Sequence, residues 1–216
     1  TRIDADRHAD NRGSSTVWMT LVLLGMLGVL SCQVAQGLLV PLDRAVAEWI
    51  ASWRVPSLDP LVRTITLFGS SVWTIMALGL SWGWAWQRHG RTAAIRYVGA
   101  FGLGVAIEVA LRFLVAQWRP DTISLPASMD WRARFELAGF PSGHAYRSAY
   151  VFGWLMSEIR PSRWAAAVRW GSLAIIVLVG FSRLALNRHW ATDILGSWLL
   201  ASVALLLARA WQSRRD

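Results

Sequence analysis

The chain has 216 residues, enough for one domain of ordinary size; 55% of them are hydrophobic and only 16% are charged. Soluble domains carry about a quarter charged residues, so this composition argues against a soluble protein and favours a membrane protein. The net charge is +9, and all 22 basic residues are arginine. Because these arginines are scattered between apolar blocks, we expect no nucleic-acid partner. The single cysteine, Cys32, excludes a disulfide framework.

Apolar segments follow one another from residue 17 to residue 211, between a polar tail at 1–16 and a polar end at 212–216. We interpret 1–16 as a flexible tail. A bilayer core requires about 20 apolar residues per helix. We therefore predict an all-α polytopic membrane protein, a bundle of six transmembrane helices within residues 17–211. The six predicted spans are Val17–Val40, Leu61–Trp86, Ala93–Trp118, Ser142–Ile159, Trp164–Leu184 and Trp190–Ala210.

Two connections between these spans are long. The first, Pro41–Pro60, contains Trp49 and Trp53 among acidic residues, which favours an amphipathic helix on the membrane surface. The second, Arg119–Pro141, joins the third span to the fourth. Tryptophans gather at the ends of the spans, as is typical of the aromatic belts at the two membrane interfaces.

The arginines also predict the orientation of the chain. With both termini in the cytoplasm, twelve arginines fall in inner segments and eight in outer segments. Cytoplasmic segments of membrane proteins carry the excess of positive charge, so we predict this arrangement in a cell (inner) membrane.

Three clusters of ionisable residues interrupt the apolar segments, where such residues are costly and indicate function. The first runs from Arg112 to Arg119, the second is Pro141-Ser142-Gly143-His144, and the third is Ser182-Arg183 followed by His189 and Asp193. Because successive spans alternate in direction, all three clusters fall at the outer interface. The sequence therefore predicts an active site on the periplasmic or extracellular side.

The residue types in these clusters suit a phosphate group. Arg112, Arg119 and Arg183 offer planar guanidinium groups that match phosphate oxygens. Ser142 follows a proline, which is typical of an N-cap, so the free N–H groups at the start of the fourth span can face an anion.

The two histidines supply the reactive groups. His189 and Asp193 are four residues apart at a helix start and share a face, so the carboxylate can hold one ring nitrogen. The other nitrogen is then free to attack phosphorus as a nucleophile. His144 can protonate the leaving alkoxide as a general acid.

With these motifs, the chain resembles the type 2 phosphatidic acid phosphatase superfamily, which includes the vanadium haloperoxidases. The family pattern is Lys, six residues, Arg-Pro; then Pro-Ser-Gly-His; then Ser-Arg, five residues, His, three residues, Asp. The corresponding segments here are 112–120, 141–144 and 182–193. The one departure is Arg112 in place of lysine, which keeps the charge but changes its reach.

The resemblance implies a lipid phosphatase that works without a metal or another cofactor. It implies that His189 forms a phosphohistidine, that Asp193 orients it and that His144 is the acid. It also implies that the phosphate is held by Arg112, Arg119, Ser142, Gly143 and Arg183. The substrate is expected to be a lipid phosphomonoester or diphosphate in the bilayer, such as a polyprenyl diphosphate, phosphatidylglycerophosphate, phosphatidic acid or lipid A.

Several alternatives stay open from the sequence. Two His and one Asp suggest zinc, but three nearby arginines oppose a cation. Glu108, one turn before Arg112, is interpreted as an ion-pair partner rather than a substrate contact. Arg147 either reaches the outer interface or adds a second anion contact beside His144. A transporter or other non-catalytic membrane protein that keeps the motifs is the alternative function; a haloperoxidase is disfavoured because those enzymes are soluble.

Overall fold

The computed structural model describes residues 2–122 and 131–210, with side chains at 14–122, 131, 132 and 135–209. Most of these residues are helical, and their only β-type pairing is an isolated bridge between Trp118 and Ala138. The prediction of an all-α protein is therefore confirmed. The helices are α1 (Arg2–Ala35), α2 (Val40–Ser52), α3 (Asp59–Thr66), α4 (Ser71–Val115), α5 (Trp131–Leu137), α6 (Gly143–Glu158), α7 (Ala165–Ala185) and α8 (Ala191–Ala210).

The N-terminal part of the chain differs from the prediction. Helix α1 begins at Arg2, so residues 2–16 continue the first helix instead of forming a flexible tail. This segment contains no proline, and polar side chains do not prevent a helix from extending into water. The helix ends before Gly37, whose φ of 71° is the left-handed conformation common just after helix ends.

The helix predicted in the first long connection is present as α2, and its place on the membrane surface stays a prediction. It buries Asp43 and Ile50 and exposes Leu42 and Trp49. Such a two-sided helix suits the boundary between a bilayer and water. Its buried side packs against α7 and α8.

The predicted start of the second span at Leu61 is wrong. Helix α3 ends at Thr66, and α4 begins only at Ser71. Ser70 separates them because its extended backbone (φ −67°, ψ 155°) allows its side chain to accept a hydrogen bond from the Trp73 N–H at 3.3 Å. This N-cap satisfies a donor that the first turn of α4 leaves free, so hydropathy alone placed the helix too early.

Helix α4 folds back on itself at Gly90. A straight helix of 45 residues would be about 68 Å long, more than twice the bilayer core. Gly69, just before α4, lies against His144, and Glu108, near its other end, lies against Gly143. Both ends of α4 therefore meet the first turn of α6. Gly90 permits this because its φ of 82° and ψ of 170° are nearly exclusive to glycine.

Within the part of the chain that the structure describes, four helical stretches are long and apolar enough to cross a membrane: Ser14–Ala35, Ser71–Val115, Ala165–Ala185 and Ala191–Arg209. The second of them contains the reversal at Gly90, where the second and third spans were predicted to be separate. Helix α6 has only 16 residues and falls short of that length. The total of six crossings stays a prediction.

Helix α8 lies at the centre of the bundle and packs against α1, α4 and α6. Its Leu200, Ala201 and Ala204 are almost fully buried. Between α4 and α6, two tyrosine hydroxyls donate to backbone oxygens of α4: Tyr146 to Phe101 at 2.9 Å and Tyr150 to Tyr97 at 2.7 Å. These bonds satisfy the buried hydroxyls and fix α6, which carries the second ionisable cluster.

We predict that Gly90→Ala lowers the thermal unfolding temperature in detergent. A Cβ at Gly90 meets no atom within 4 Å, so the cost comes from the backbone conformation alone, about 1–3 kcal/mol. The control is Gly79→Ala, in the same helix and with equally open space, which should be neutral or slightly stabilising. Equal melting temperatures for the two variants would contradict a reversal at Gly90.

Candidate active site

The three ionisable clusters come together at one end of the bundle. The end of α4 brings Arg112, the connection after it brings Arg119, and the end of α7 brings Arg183. The charges of all three arginines act on His189, in the connection between α7 and α8. His144, in the first turn of α6, has Arg183, Arg119 and His189 among its electrostatic neighbours. The structure thus gathers the residues that the sequence had placed in three separate segments.

His189 and Asp193 form a buried pair. The His189 Nδ1 atom lies 3.0 Å from Asp193 Oδ2, and their side chains are 2% and 0% exposed. The same carboxylate oxygen accepts a hydrogen bond from the Trp190 N–H at 2.9 Å. When the carboxylate accepts a hydrogen bond from a protonated Nδ1, the neutral ring keeps a free lone pair on Nε2. The pair therefore has the arrangement of a nucleophile and its orienting group.

Burial lowers the pKa of His189 well below its usual value, and the charges of Arg183, Arg119 and Arg112 lower it further. Both effects disfavour the imidazolium form, since a charged ring would lose its hydration and meet like charges. The ring is thus neutral at neutral pH, as a nucleophilic nitrogen must be.

The helix that carries Asp193 is joined directly to the second cluster. The Ser142 N–H donates to the Asp193 backbone oxygen at 3.2 Å. Ser197 Oγ donates to the same oxygen at 2.6 Å and contacts the Ser142 oxygen at 2.8 Å. These bonds fix the start of α6 against the first turns of α8.

Four buried donors at this end have no hydrogen-bond partner among the described residues. They are the Nε atoms of Arg112, Arg119 and Arg183 and the Oγ atom of Ser142. Ser142 occupies the N-cap position of α6, as predicted, but its side chain makes no capping bond. Buried donors are nearly always paired in proteins, so this group is suited to a shared anionic acceptor.

Glu108 is an ion-pair partner, as the sequence indicated. Its Oε1 atom accepts a hydrogen bond from Arg112 Nη2 at 2.8 Å, and the two side chains are only 6% and 10% exposed. Arg112 also lies over the Phe135 ring, 5.2 Å from its centroid. The pair fixes one edge of the guanidinium group and leaves its Nε free.

Arg147 lies beside His144 in the first turns of α6. Its Nε donates to the Gly69 oxygen at 2.9 Å, and its Nη2 lies 3.4 Å from His144 Nδ1. A guanidinium group cannot accept a hydrogen bond, so this contact favours a His144 tautomer whose proton is on Nε2. Of the two interpretations of Arg147, these contacts favour the one that places a cation beside His144, and its role stays a prediction.

Arg119 is held by backbone pairing between the two ends of its loop. The Arg119 N–H donates to the Leu137 oxygen at 3.2 Å, and the Gly139 N–H donates to the Gln117 oxygen at 2.7 Å. Trp190 Nε1 adds a bond of 2.7 Å to the Trp118 oxygen. Part of the predicted connection Arg119–Pro141, residues 123–130, lies outside the described residues.

Two glycines permit close contacts within the site. A Cβ at Gly143 would lie 2.6 Å from Glu108 Oε1, and one at Gly139 would lie 2.7 Å from Asp193 Oδ2. Neither position tolerates a larger side chain without movement of the charged groups. Gly143 was a predicted site residue. Gly139 was not, although its position just before the Phe-Pro-Ser-Gly-His segment was a usable signal.

Among the described side chains, no group of three or more His, Cys, Asp or Glu residues has an arrangement that would hold a metal ion.

Comparisons with known proteins agree with this arrangement. The family model of the PAP2 superfamily matches residues 93–216, which contain all three clusters. Phosphatidylglycerophosphatase B of Bacillus subtilis (strain 168) is 23% identical over 177 residues, covering 80% of this chain and 84% of that protein.

Two solved structures share the fold. The first is the transmembrane PAP2-type phosphatidylglycerolphosphate phosphatase from Bacillus subtilis, with a TM-score of 0.74, 21% identity and coverage of 91% of this chain and 97% of that chain. The second is Aquifex aeolicus LpxE, with a TM-score of 0.59, 16% identity and coverage of 78% and 95%. The chain is a multi-pass helical membrane protein of this architecture.

Proposed function

The chain belongs to the PAP2 superfamily, and we propose that it is a membrane phosphatase that removes a phosphate group from a lipid phosphomonoester or diphosphate. The observation that carries this proposal is the buried His189–Asp193 pair beside three arginines whose Nε atoms are unpaired among the described residues. The substrate class includes polyprenyl diphosphate, phosphatidylglycerophosphate, phosphatidic acid and lipid A. The phosphatidylglycerophosphatase among its relatives is consistent with this class.

In the proposed reaction, His189 Nε2 attacks phosphorus and the bond from phosphorus to the leaving oxygen breaks. His144, protonated to imidazolium once the anionic phosphate is bound, donates its Nε2 proton to that oxygen and becomes neutral, so a lipid alcohol or a shorter phosphate leaves. Water then attacks the phosphohistidine, and His144 takes its proton. Inorganic phosphate is released and both histidines return to their starting forms. Asp193 keeps the His189 ring in one orientation throughout, through the 3.0 Å bond to Nδ1.

Arg112, Arg119 and Arg183 hold the phosphate oxygens through the donors that the protein leaves unpaired. Ser142 Oγ and the N–H groups of the first turn of α6, beginning at Gly143, complete this set of donors. Donors fixed in a dry site stabilise the charge of the transition state without reorganising. We therefore propose that no metal or other cofactor takes part, because the protein itself supplies the positive charge.

Removal of the nucleophile tests this proposal. His189→Ala should reduce phosphate release from a panel of lipid phosphates by roughly a thousandfold or more, because the covalent step is lost. His89→Ala is the matched control, since His89 pairs with Glu158 at the other end of α6 and should leave activity unchanged. EDTA should not slow the wild-type enzyme, and vanadate should inhibit it. Phosphate release by His189→Ala near the wild-type rate would refute the mechanism.

Arg147 is proposed as a second anion contact. It lies beside His144, with its Nη2 atom 3.4 Å from the ring Nδ1 atom. A cation there matters more when the leaving group is itself a phosphate. A charge-assisted hydrogen bond contributes about 1.5–3 kcal/mol, or roughly 10- to 150-fold in rate when it forms mainly in the transition state.

We therefore predict that Arg147→Leu lowers kcat/KM for a lipid diphosphate at least about tenfold more than for the matching monophosphate. Arg169→Leu, which removes an exposed arginine from α7, is the control and should affect neither substrate. Equal losses on both substrates would assign Arg147 a general role at His144 and exclude a diphosphate contact.

The site is proposed to face the periplasm or the cell exterior, with both termini in the cytoplasm, because more arginines then lie inside. In a Cys32→Ser background, Asp121→Cys should react with an impermeant thiol reagent in intact cells. Ser162→Cys, between α6 and α7 at the opposite end, should react only after permeabilisation. The reverse pattern would overturn this orientation.

A further inference from the structure

A carboxylate distant in sequence from all three clusters contacts Thr192, the residue before Asp193. Asp43, on α2, is 2% exposed. Its Oδ1 atom accepts a hydrogen bond from the Thr192 N–H at 3.0 Å, and its Oδ2 atom accepts one from Thr192 Oγ1 at 2.7 Å. Oδ2 also accepts a bond from Gln117 Nε2 at 3.1 Å. One buried side chain therefore joins α2, the connection that carries Arg119, and the start of α8.

The first turn of α8 needs a cap that its own sequence does not provide. The N–H groups at a helix start have no partner within the helix, and the residue at the N-cap usually supplies an oxygen. Here that residue is Trp190, which has no acceptor in its side chain. Asp193, the third residue of the helix, accepts the Trp190 N–H. The N–H of Thr192, the second residue, donates to Asp43 instead.

The first turn of α8 thus has two acceptors, Asp193 for the Trp190 N–H and Asp43 for the Thr192 N–H. This matters because Asp193 also holds His189. If Thr192 lost its acceptor, the first turn of α8 could rotate or unwind, and Asp193 is the next residue along the chain. The negative charge of Asp43 also interacts favourably with the positive end of the α8 dipole. The pKa of Asp43 is raised above its usual value, because the effect of burial exceeds that of the two bonds from Thr192, which lower it.

We propose that Asp43 is a positioning residue that caps α8 from a neighbouring helix and thereby sets the orientation of the His189–Asp193 pair. This inference rests on the proposed function and adds to it a residue outside the family's three motifs. The bond to Gln117 extends the effect to the neighbouring connection, two residues before Arg119. The nucleophile and one phosphate-holding arginine thus share a common support.

The experiment compares purified variants in detergent, with kinetics on a lipid phosphate and vanadate binding measured by calorimetry. Asp43→Asn keeps the shape but presents an amide N–H to donors that need an acceptor. We expect its kcat to fall about 10- to 100-fold, with KM changed less than about threefold. Vanadate should still bind at one site per chain, but about tenfold or more weakly.

Variants of Thr192, the hydrogen-bond partner of Asp43, test whether the effect of Asp43 passes through the start of α8. Thr192→Val removes the hydroxyl bond and retains the N–H, so it should lose activity in the same direction but by less. Thr192→Ser keeps the hydroxyl, so its kcat should stay within about twofold of the wild-type value. Asp59→Asn is the matched carboxylate control, because Asp59 pairs with Arg54 at the surface and should be silent.

Three outcomes would overturn the inference. Unchanged kcat and vanadate affinity in Asp43→Asn would show that the cap does not reach the site. A fall in vanadate sites in proportion to activity would show only a loss of folded protein. A full loss of activity in Gln117→Leu with none in Thr192→Val would assign the effect to the connection with Arg119.

Failure of wild-type protein to hydrolyse any lipid phosphate would refute the proposed function, while the vanadate affinities would still test Asp43.

Discussion

The concentration of positive charge at one end of the helix bundle is the constraint on which the other features depend. Arg112, Arg119 and Arg183 all act on one buried histidine, although like charges repel one another strongly where water is excluded. Burial lowers the pKa of Arg119, and the neighbouring charge of Arg112 lowers it further. Glu108 offsets part of this cost by pairing with Arg112. Such an arrangement is unfavourable for the free protein, and it is suited to binding and stabilising an anion.

The fold holds Arg112 and Arg183 at helix ends and Arg119 through the backbone pairing of its loop. Reversal of α4 at Gly90 returns Glu108 and Arg112 to the level of Gly69, so both ends of one long helix face the first turn of α6. The central helix α8 then brings Asp193 into the same region. Helix ends carry free N–H groups, which explains how a membrane bundle can present donors to a phosphate without exposing irregular backbone to lipid.

Sequence patterns located the later helices and the clusters of the site well, because these depend on local periodicity and on closely spaced motifs. Helix α7 was predicted within one residue at each end, and α6 began one residue after the predicted start. The break at Ser70 was missed because hydropathy does not register a single capping bond. The contact between Asp43 and Thr192 spans 149 residues and follows from packing alone, so no local pattern could indicate it.

If His189 is the nucleophile, it becomes phosphorylated during turnover, and this intermediate can be trapped. Purified protein would be mixed with a lipid phosphate, quenched in alkali within milliseconds, digested, and analysed by mass spectrometry. We expect a phosphate on the peptide containing His189, stable to base and labile to acid, and absent from His189→Ala. Turnover without any phosphorylated histidine, or a phosphate on another residue, would contradict it.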